Sequence, residues 1–175
     1  MSVLEERIKA GIRDIPDFPE DGIVFKDITP LLNDAELFGD VIRHFADRYR
    51  DAGVDHVVGI ESRGFIFGAP VAYELGVGFS LARKPGKLPF ESVGIDYELE
   101  YGTDRIEMHV DGVDDHSNCV ILDDVIATGG TAEATAKLVE ECGGNVHELG
   151  FLMELTFLNG REKLDGWDVH CLASF

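Results

Sequence analysis

Val120-Ile121-Leu122-Asp123-Asp124-Val125-Ile126-Ala127-Thr128-Gly129-Gly130-Thr131 is the stretch on which the reading of this chain turns. It begins inside an apolar run, residues 118–124, that reads as a buried strand ending in two carboxylates. Open α/β sheets bind ligands at the carboxyl ends of their strands. Ala127, Thr128, Gly129, Gly130 and Thr131 then form a small-residue turn that opens a helix. The glycines let backbone N–H groups approach an anion, the threonine hydroxyls add donors, and a helix N-terminus supplies about half a positive charge. No lysine follows the glycines, so this is not a Walker A loop. The paired acids Asp123 and Asp124 suit the hydroxyls of a vicinal diol and a metal's water shell. A phosphate and a diol side by side describe a ribose 5-phosphate. An ordinary strand end could explain the acids, and an ordinary turn the glycines, but the two in this order argue for one site. A phosphorelay receiver also ends strands in acids but has no use for the glycine cup.

Outward from this stretch, helical and strand patterns alternate. Phe38, Val41, Ile42, Phe45 and Tyr49 recur at helical spacing, after a cap at Asn33 or Asp34 and before Gly53. Residues 56–60 and 78–83 read as strands, 65–75 as a helix stopped by Gly76, 131–142 as a helix stopped by Gly143-Gly144, and 146–155 as a strand. Continuously apolar strands alternating with helices predict an α/β fold, a mainly parallel sheet flanked by helices. Residues 83–110 differ, with Pro85, Gly86, Pro89, Gly94 and Gly102 between alternating pieces, and predict a long mobile loop plus a hairpin. There is no repeat or linker, so residues 1–175 are expected to form one domain.

Composition narrows the function. The chain is 45% apolar with a formal charge of −19, from 34 acids against 15 bases, only six of them lysine. Such a surface cannot replace phosphate counterions, which excludes nonspecific nucleic-acid binding. No stretch approaches the roughly 20 apolar residues that span a bilayer, and the amphipathic segment at 1–15 is no secretory signal, so a cytoplasmic location is expected. Cys119, Cys142 and Cys171 are scattered without metal-type spacing and read as reduced thiols, and none of the six histidines falls in a metal-type cluster. Against this background Arg83, Lys84 and Lys87 place three cations in five residues, an anion-binding patch. Arg63, in a turn beside Gly64, adds a forked donor suited to phosphate.

The run from Val120 to Thr131 resembles the signature of the type I phosphoribosyltransferases, which bind phosphoribosyl pyrophosphate (PRPP). The resemblance narrows to the adenine branch of that family. Asp17-Phe18-Pro19 with residues 22–30 is similar to its amino-terminal base-binding segment, within residues 1–34. Residues 59–65 are similar to its pyrophosphate loop, while 83–89 and Leu99-Glu100-Tyr101-Gly102 are similar to its flexible active-site loop. Glu154-Leu155 and residues 160–164 resemble its carboxyl-terminal part.

The resemblance implies a type I phosphoribosyltransferase fold with a small hood, a homodimer, and transfer of the phosphoribosyl group from PRPP to adenine with magnesium held through PRPP. It places adenine against the main chain of Val24 and Lys26 between Phe25 and Leu155, and makes Glu100 the acid–base group. Lys26 stands where arginine is common in the family. Hypoxanthine or guanine as the base, and a non-catalytic PRPP-binding regulator, are the competing readings.

The charge carries a prediction of its own. Self-repulsion at −19 weakens the compact state in dilute buffer, whereas at 1 M salt the Debye length falls to about 3 Å. A high-salt cytosol fits such a surface. Melting temperature is expected to rise substantially from dilute buffer to molar KCl; a flat or falling series would make the negative surface incidental.

Overall fold

The computed structural model describes residues 2–98 and 102–175. Helix α1 (Val3–Gly11), whose N-cap Ser2 accepts the Glu5 N–H, leads into an antiparallel hairpin of β1 (Arg13–Pro16) and β2 (Val24–Asp27). Helix α2 (Thr29–Asn33) precedes α3 (Ala35–Tyr49). Of the two cap candidates it is Asp34 that caps α3, accepting the N–H groups of Glu36 and Leu37. Strand β3 (His56–Ile60), helix α4 (Gly64–Leu75) and strand β4 (Gly78–Ala82) follow. Gly76 ends α4 in the left-handed conformation at φ 70°, returning its N–H to Ala72 and Tyr73. A second hairpin, β5 (Ser92–Glu98) and β6 (Thr103–His109), precedes β7 (Asn118–Ile126). The chain continues through α5 (Gly130–Glu141), β8 (Asn145–Glu154), two short 3-10 turns and β9 (Val169–Ser174).

Five strands form a wholly parallel sheet in the order β4-β3-β7-β8-β9. Central β7 is buried on both faces, with Cys119, Val120, Ile121 and Leu122 fully enclosed. Alternation sorts them into two layers. Val120 and Leu122 join Phe45, Tyr49, Phe67 and Leu152 beneath α1–α4. Cys119 and Ile121 join Ile106, Met108, Leu138 and Phe151 beneath α5 and the second hairpin. Burial raises the Cys119 and Cys171 thiols to about 12, and no cysteine is in a disulfide. Among the described residues no helix is long and apolar enough to cross a membrane.

Two details depart from the sequence reading. Strand β7 does not stop at the acids but runs to Ile126, because Val125 and Ile126 pair with Met153 and Glu154 of β8. The expected hairpin is present as β5 and β6, but the segment before it is not a free loop: Arg83 and Glu107 exchange both backbone hydrogen bonds, fastening the chain after β4 to that hairpin.

Polar groups join the layers where the core is closed. His44 of α3 and His170 of β9 meet Nε2 to Nε2 at 3.1 Å. Burial and the nearby Arg48 charge push His170 down to about 4. Glu148 of β8 is only 5% exposed. It accepts hydrogen bonds from Arg48 Nε at 2.7 Å and the Tyr49 hydroxyl at 2.8 Å. Burial alone would raise the Glu148 carboxyl, but these bonds outweigh it and hold the group below the usual carboxylate range. The resulting stability is present above the unfolded-state pKa and is lost as pH falls through the folded one. Tyr49→Phe is therefore expected to cost about 1.5–3 kcal/mol at neutral pH, a fall in Tm of roughly 3–10 °C. The deficit should shrink in acid as Glu148 protonates; thermal melts over a pH series measure both, and an unchanged Tm would assign the carboxylate to Arg48 alone.

Candidate active site

At the carboxyl end of the sheet, the turns after β3 and β7 enclose a cavity of about 190 Å³, lined by Glu61–Arg63 and by residues 123–132. Its floor is the turn from Ala127 to the start of α5, a helix whose first N–H groups have no partner one turn back. Gly129 adopts φ 81°, and a Cβ there would overlap the Gly160 carbonyl oxygen. A Cβ on Gly160 would in turn overlap the Ala127 carbonyl oxygen. The cup is thus pressed backbone to backbone against the 3-10 turn Gly160–Leu164. Glycine at 129 is required twice, by its dihedral and by its neighbour.

The acids stand on the cavity wall. Asp123 is half-buried and accepts the Asp124 N–H at 2.8 Å, while Asp124 is 2% exposed. Arg63 Nε lies 2.8 Å from Asp124 Oδ2 without its N–H directed at the oxygen, which is left with no hydrogen-bond partner. Burial raises both carboxyls; the Asp124 charge raises Asp123 further, and Arg63 opposes the shift at Asp124. A buried acceptor of this kind can take a donor from a ligand hydroxyl in exchange for its ion pair with Arg63. The Arg63 guanidinium also sits 5.3 Å from the centre of the Phe25 ring, so one side chain touches both the acid wall and the amino-terminal hairpin.

Strand alternation gives β2 two faces. Phe25 points toward Arg63 and meets Phe18 edge-on, ring centres 5.3 Å apart. Val24 and Lys26 line a separate cavity of about 610 Å³ together with Leu155, Phe157 and Phe175. The Lys26 ammonium pairs with Asp14 at 2.7 Å and stands 4.4 Å over the Phe175 ring, so its side chain is committed away from Phe25.

A family model for the phosphoribosyl transferase domain matches residues 30–173. The chain belongs to the phosphoribosyltransferase family. The adenine phosphoribosyltransferase of Thermoanaerobacter sp. (strain X514) is 55% identical over 170 residues, covering 97% of this chain and 98% of that protein. That of Maridesulfovibrio salexigens is 54% identical over 161 residues, covering 92% and 95%. The crystal structure of adenine phosphoribosyltransferase from Thermoanaerobacter pseudethanolicus is similar with a TM-score of 0.94 at 55% identity, over 97% of this chain and 99% of that one. The Saccharomyces cerevisiae enzyme, complexed with D-2,5-dideoxy-2,5-imino-altritol 1,6-bisphosphate and adenine, gives 0.92 at 41% identity, over 98% and 99%.

Against the family signature, the structure brings Asp123, Asp124, Ala127, Thr128, Gly129, Gly130, Thr131 and Arg63 around one cavity. It does not bring the other expected cations there. Arg83 is held by Glu61, with Nε at 3.1 Å, and by the Lys87 carbonyl. The Lys84 ammonium donates to Tyr97 Oη at 2.6 Å and pairs with Asp104. Lys87 is exposed on the turn that follows. Arg83 and Lys84 are each held by an acid, a competition that charge counting along the sequence does not show. Glu100 lies outside the described residues. Glu61, which lines the cup and carries Arg83, and Gly160, which supports it, were not singled out. Neither has a local signal, since their partners are distant in sequence. The close approach at Gly129 is testable: Gly129→Ala is expected to lower the melting temperature by several degrees and to abolish ribose 5-phosphate binding by calorimetry. Wild-type values for both would mean that the Gly160 turn can retreat.

Proposed function

We propose that this protein transfers the 5-phosphoribosyl group of PRPP to adenine, giving AMP and pyrophosphate, as a cytoplasmic enzyme of purine salvage. The observation that carries the reading is the buried Asp124 carboxylate, ion-paired with Arg63, beside a glycine cup at a helix N-terminus. The names of the relatives point to the same base and give no support to a hypoxanthine or guanine enzyme or to a non-catalytic regulator.

In this reading the 5-phosphate enters the cup at residues 127–131 and the ribose hydroxyls donate to Asp123 and Asp124. Arg63 leaves Asp124 for the diphosphate, exchanging one anion for a more highly charged one. Arg83, Lys84 and Lys87 join it when their loop closes, releasing Glu61 and Asp104. Closure also keeps water from the activated sugar. Adenine lies against Phe25 and reads the main chain of Val24 and Lys26; the second wall expected of Leu155 requires that side chain, which lines the cavity on the far face of β2, to turn toward the base. The C1′–oxygen bond to diphosphate breaks as N9 of adenine bonds to C1′, and the imidazole proton passes to Glu100. The protein's work is positioning and stabilising charge.

Among the described residues no three acids, histidines or cysteines are grouped to hold a metal, so a magnesium ion would be carried on the diphosphate and would meet Asp123 and Asp124 only through its water shell. When bound, that ion neutralises the leaving group. Residues 1–175 act as one domain, with 1–34 as the base-binding segment and 83–110 as the closing element. A homodimer would cover α4, which is apolar nearly all round yet leaves Ile66 and Tyr73 38% and 84% exposed.

Pyrophosphate release with PRPP, magnesium and each purine base tests the assignment. Backbone groups that pair with a 6-amino purine are left unpaired by a 6-oxo one, so adenine should exceed hypoxanthine and guanine in kcat/KM by at least about 100-fold. Comparable values would remove adenine as the substrate and leave the family intact; no release with any base would remove catalysis.

A further inference from the structure

Behind the proposed base-reading strand stands a residue tied to both walls of the base site. The Phe175 ring lies 4.4 Å beneath the Lys26 ammonium of β2 and 5.7 Å from the Lys9 ammonium of α1. Asp14 of β1 completes the setting of Lys26 at 2.7 Å. The Lys26 side chain is only 15% exposed, so water competes poorly for its charge. The main chain of Phe175 faces the other wall. Its N–H donates to the Glu154 carbonyl at 2.9 Å. Its carbonyl oxygen accepts the Thr156 N–H at 2.9 Å and the Thr156 hydroxyl at 2.6 Å. Leu155 is thereby bracketed on both sides, and its own N–H is spent on Ile126 at the end of the strand that carries the acids. Phe175 therefore ties β2 to the segment 154–156 that carries Leu155.

We propose that Phe175 is a positioning residue for the base: its ring fixes Lys26, and with it the β2 main chain, at a set distance from Leu155. The inference rests on the reading of Val24–Lys26 and Leu155 as the base walls. Among the described residues Phe175 is not part of the cup or its acid wall and lines instead the cavity of about 610 Å³ on the far face of β2. Its effect should fall on one substrate and spare the other. A leucine at 175 keeps apolar volume and all the backbone bonds but has no π face for the two ammonium groups. A tryptophan restores the face.

Initial rates over adenine and PRPP, with melts alongside, test this in the full-length enzyme. Phe175→Leu is expected to raise KM for adenine about threefold or more. The KM for PRPP and kcat should stay within about twofold, and Phe175→Trp should recover the wild-type value. Lys26→Met should give the same rise, and the double variant no more than the larger single one; if Phe175→Leu fails to fold, Lys26→Met alone carries the test. An unchanged adenine KM in the folded variants overturns the proposal, as does a joint rise in both KM values with a fall in Tm, which would mark a general loosening. A wild-type enzyme inactive with adenine would overturn the functional reading itself and this inference with it, an outcome visible before any variant is made.

Discussion

The organising constraint of this molecule is a carboxylate held almost out of reach of water. Asp124 is 2% exposed near the end of the most enclosed strand, with one oxygen left without a hydrogen bond. Burying such a group costs several kcal/mol unless it is paired. The fold answers by bringing Arg63 from the neighbouring strand's turn, and by opening α5 within a few residues. The parallel order of β3 and β7 makes this possible, because it places both turns at one end of the sheet. A diol and a phosphate then supply what the free site lacks. Binding and the relief of an electrostatic mismatch are the same event.

The acidic surface shapes the rest of the site. In a chain of net charge −19, three of the four cations meant for a substrate anion find a carboxylate first. Glu61 holds Arg83, Asp104 holds Lys84, and Asp124 holds Arg63. These acids act as stand-ins for phosphate, keeping the cationic groups ordered and close. Part of the affinity for a diphosphate must go into displacing them.

Much of the fold was legible because apolar periodicity is strong where burial is complete. Strand β3 has the boundaries the pattern indicates, α4 ends at Gly76, and the cup follows β7 directly. The short β1–β2 hairpin was not legible, since its burial pattern is mostly exposed and carries no alternation; family resemblance marked the segment as base-binding without giving its structure. The strand through Asp123 and Asp124 extends beyond them because pairing with β8 outweighs the local dislike of acids for a sheet interior. Within the site, chemistry borne by one segment could be read: two acids, two glycines, a helix start. Contacts between distant segments could not, as with Gly160 under Gly129, Phe175 under Lys26 and Glu61 on Arg83.

The Gly129–Gly160 contact has a consequence for how this protein can change. Most close contacts can be eased by a second substitution that shrinks the partner. Here the atom that a new Cβ would overlap is a main-chain carbonyl oxygen in each case, that of Gly160 for residue 129 and that of Ala127 for residue 160. A larger residue at either position therefore has no local suppressor. Directed evolution that starts from such a variant would find relief only by moving the whole 160–164 turn, which also carries Lys163 and the buried Leu164. Drift can reach neighbouring surface positions freely, while these two glycines can be left only together with the geometry they hold.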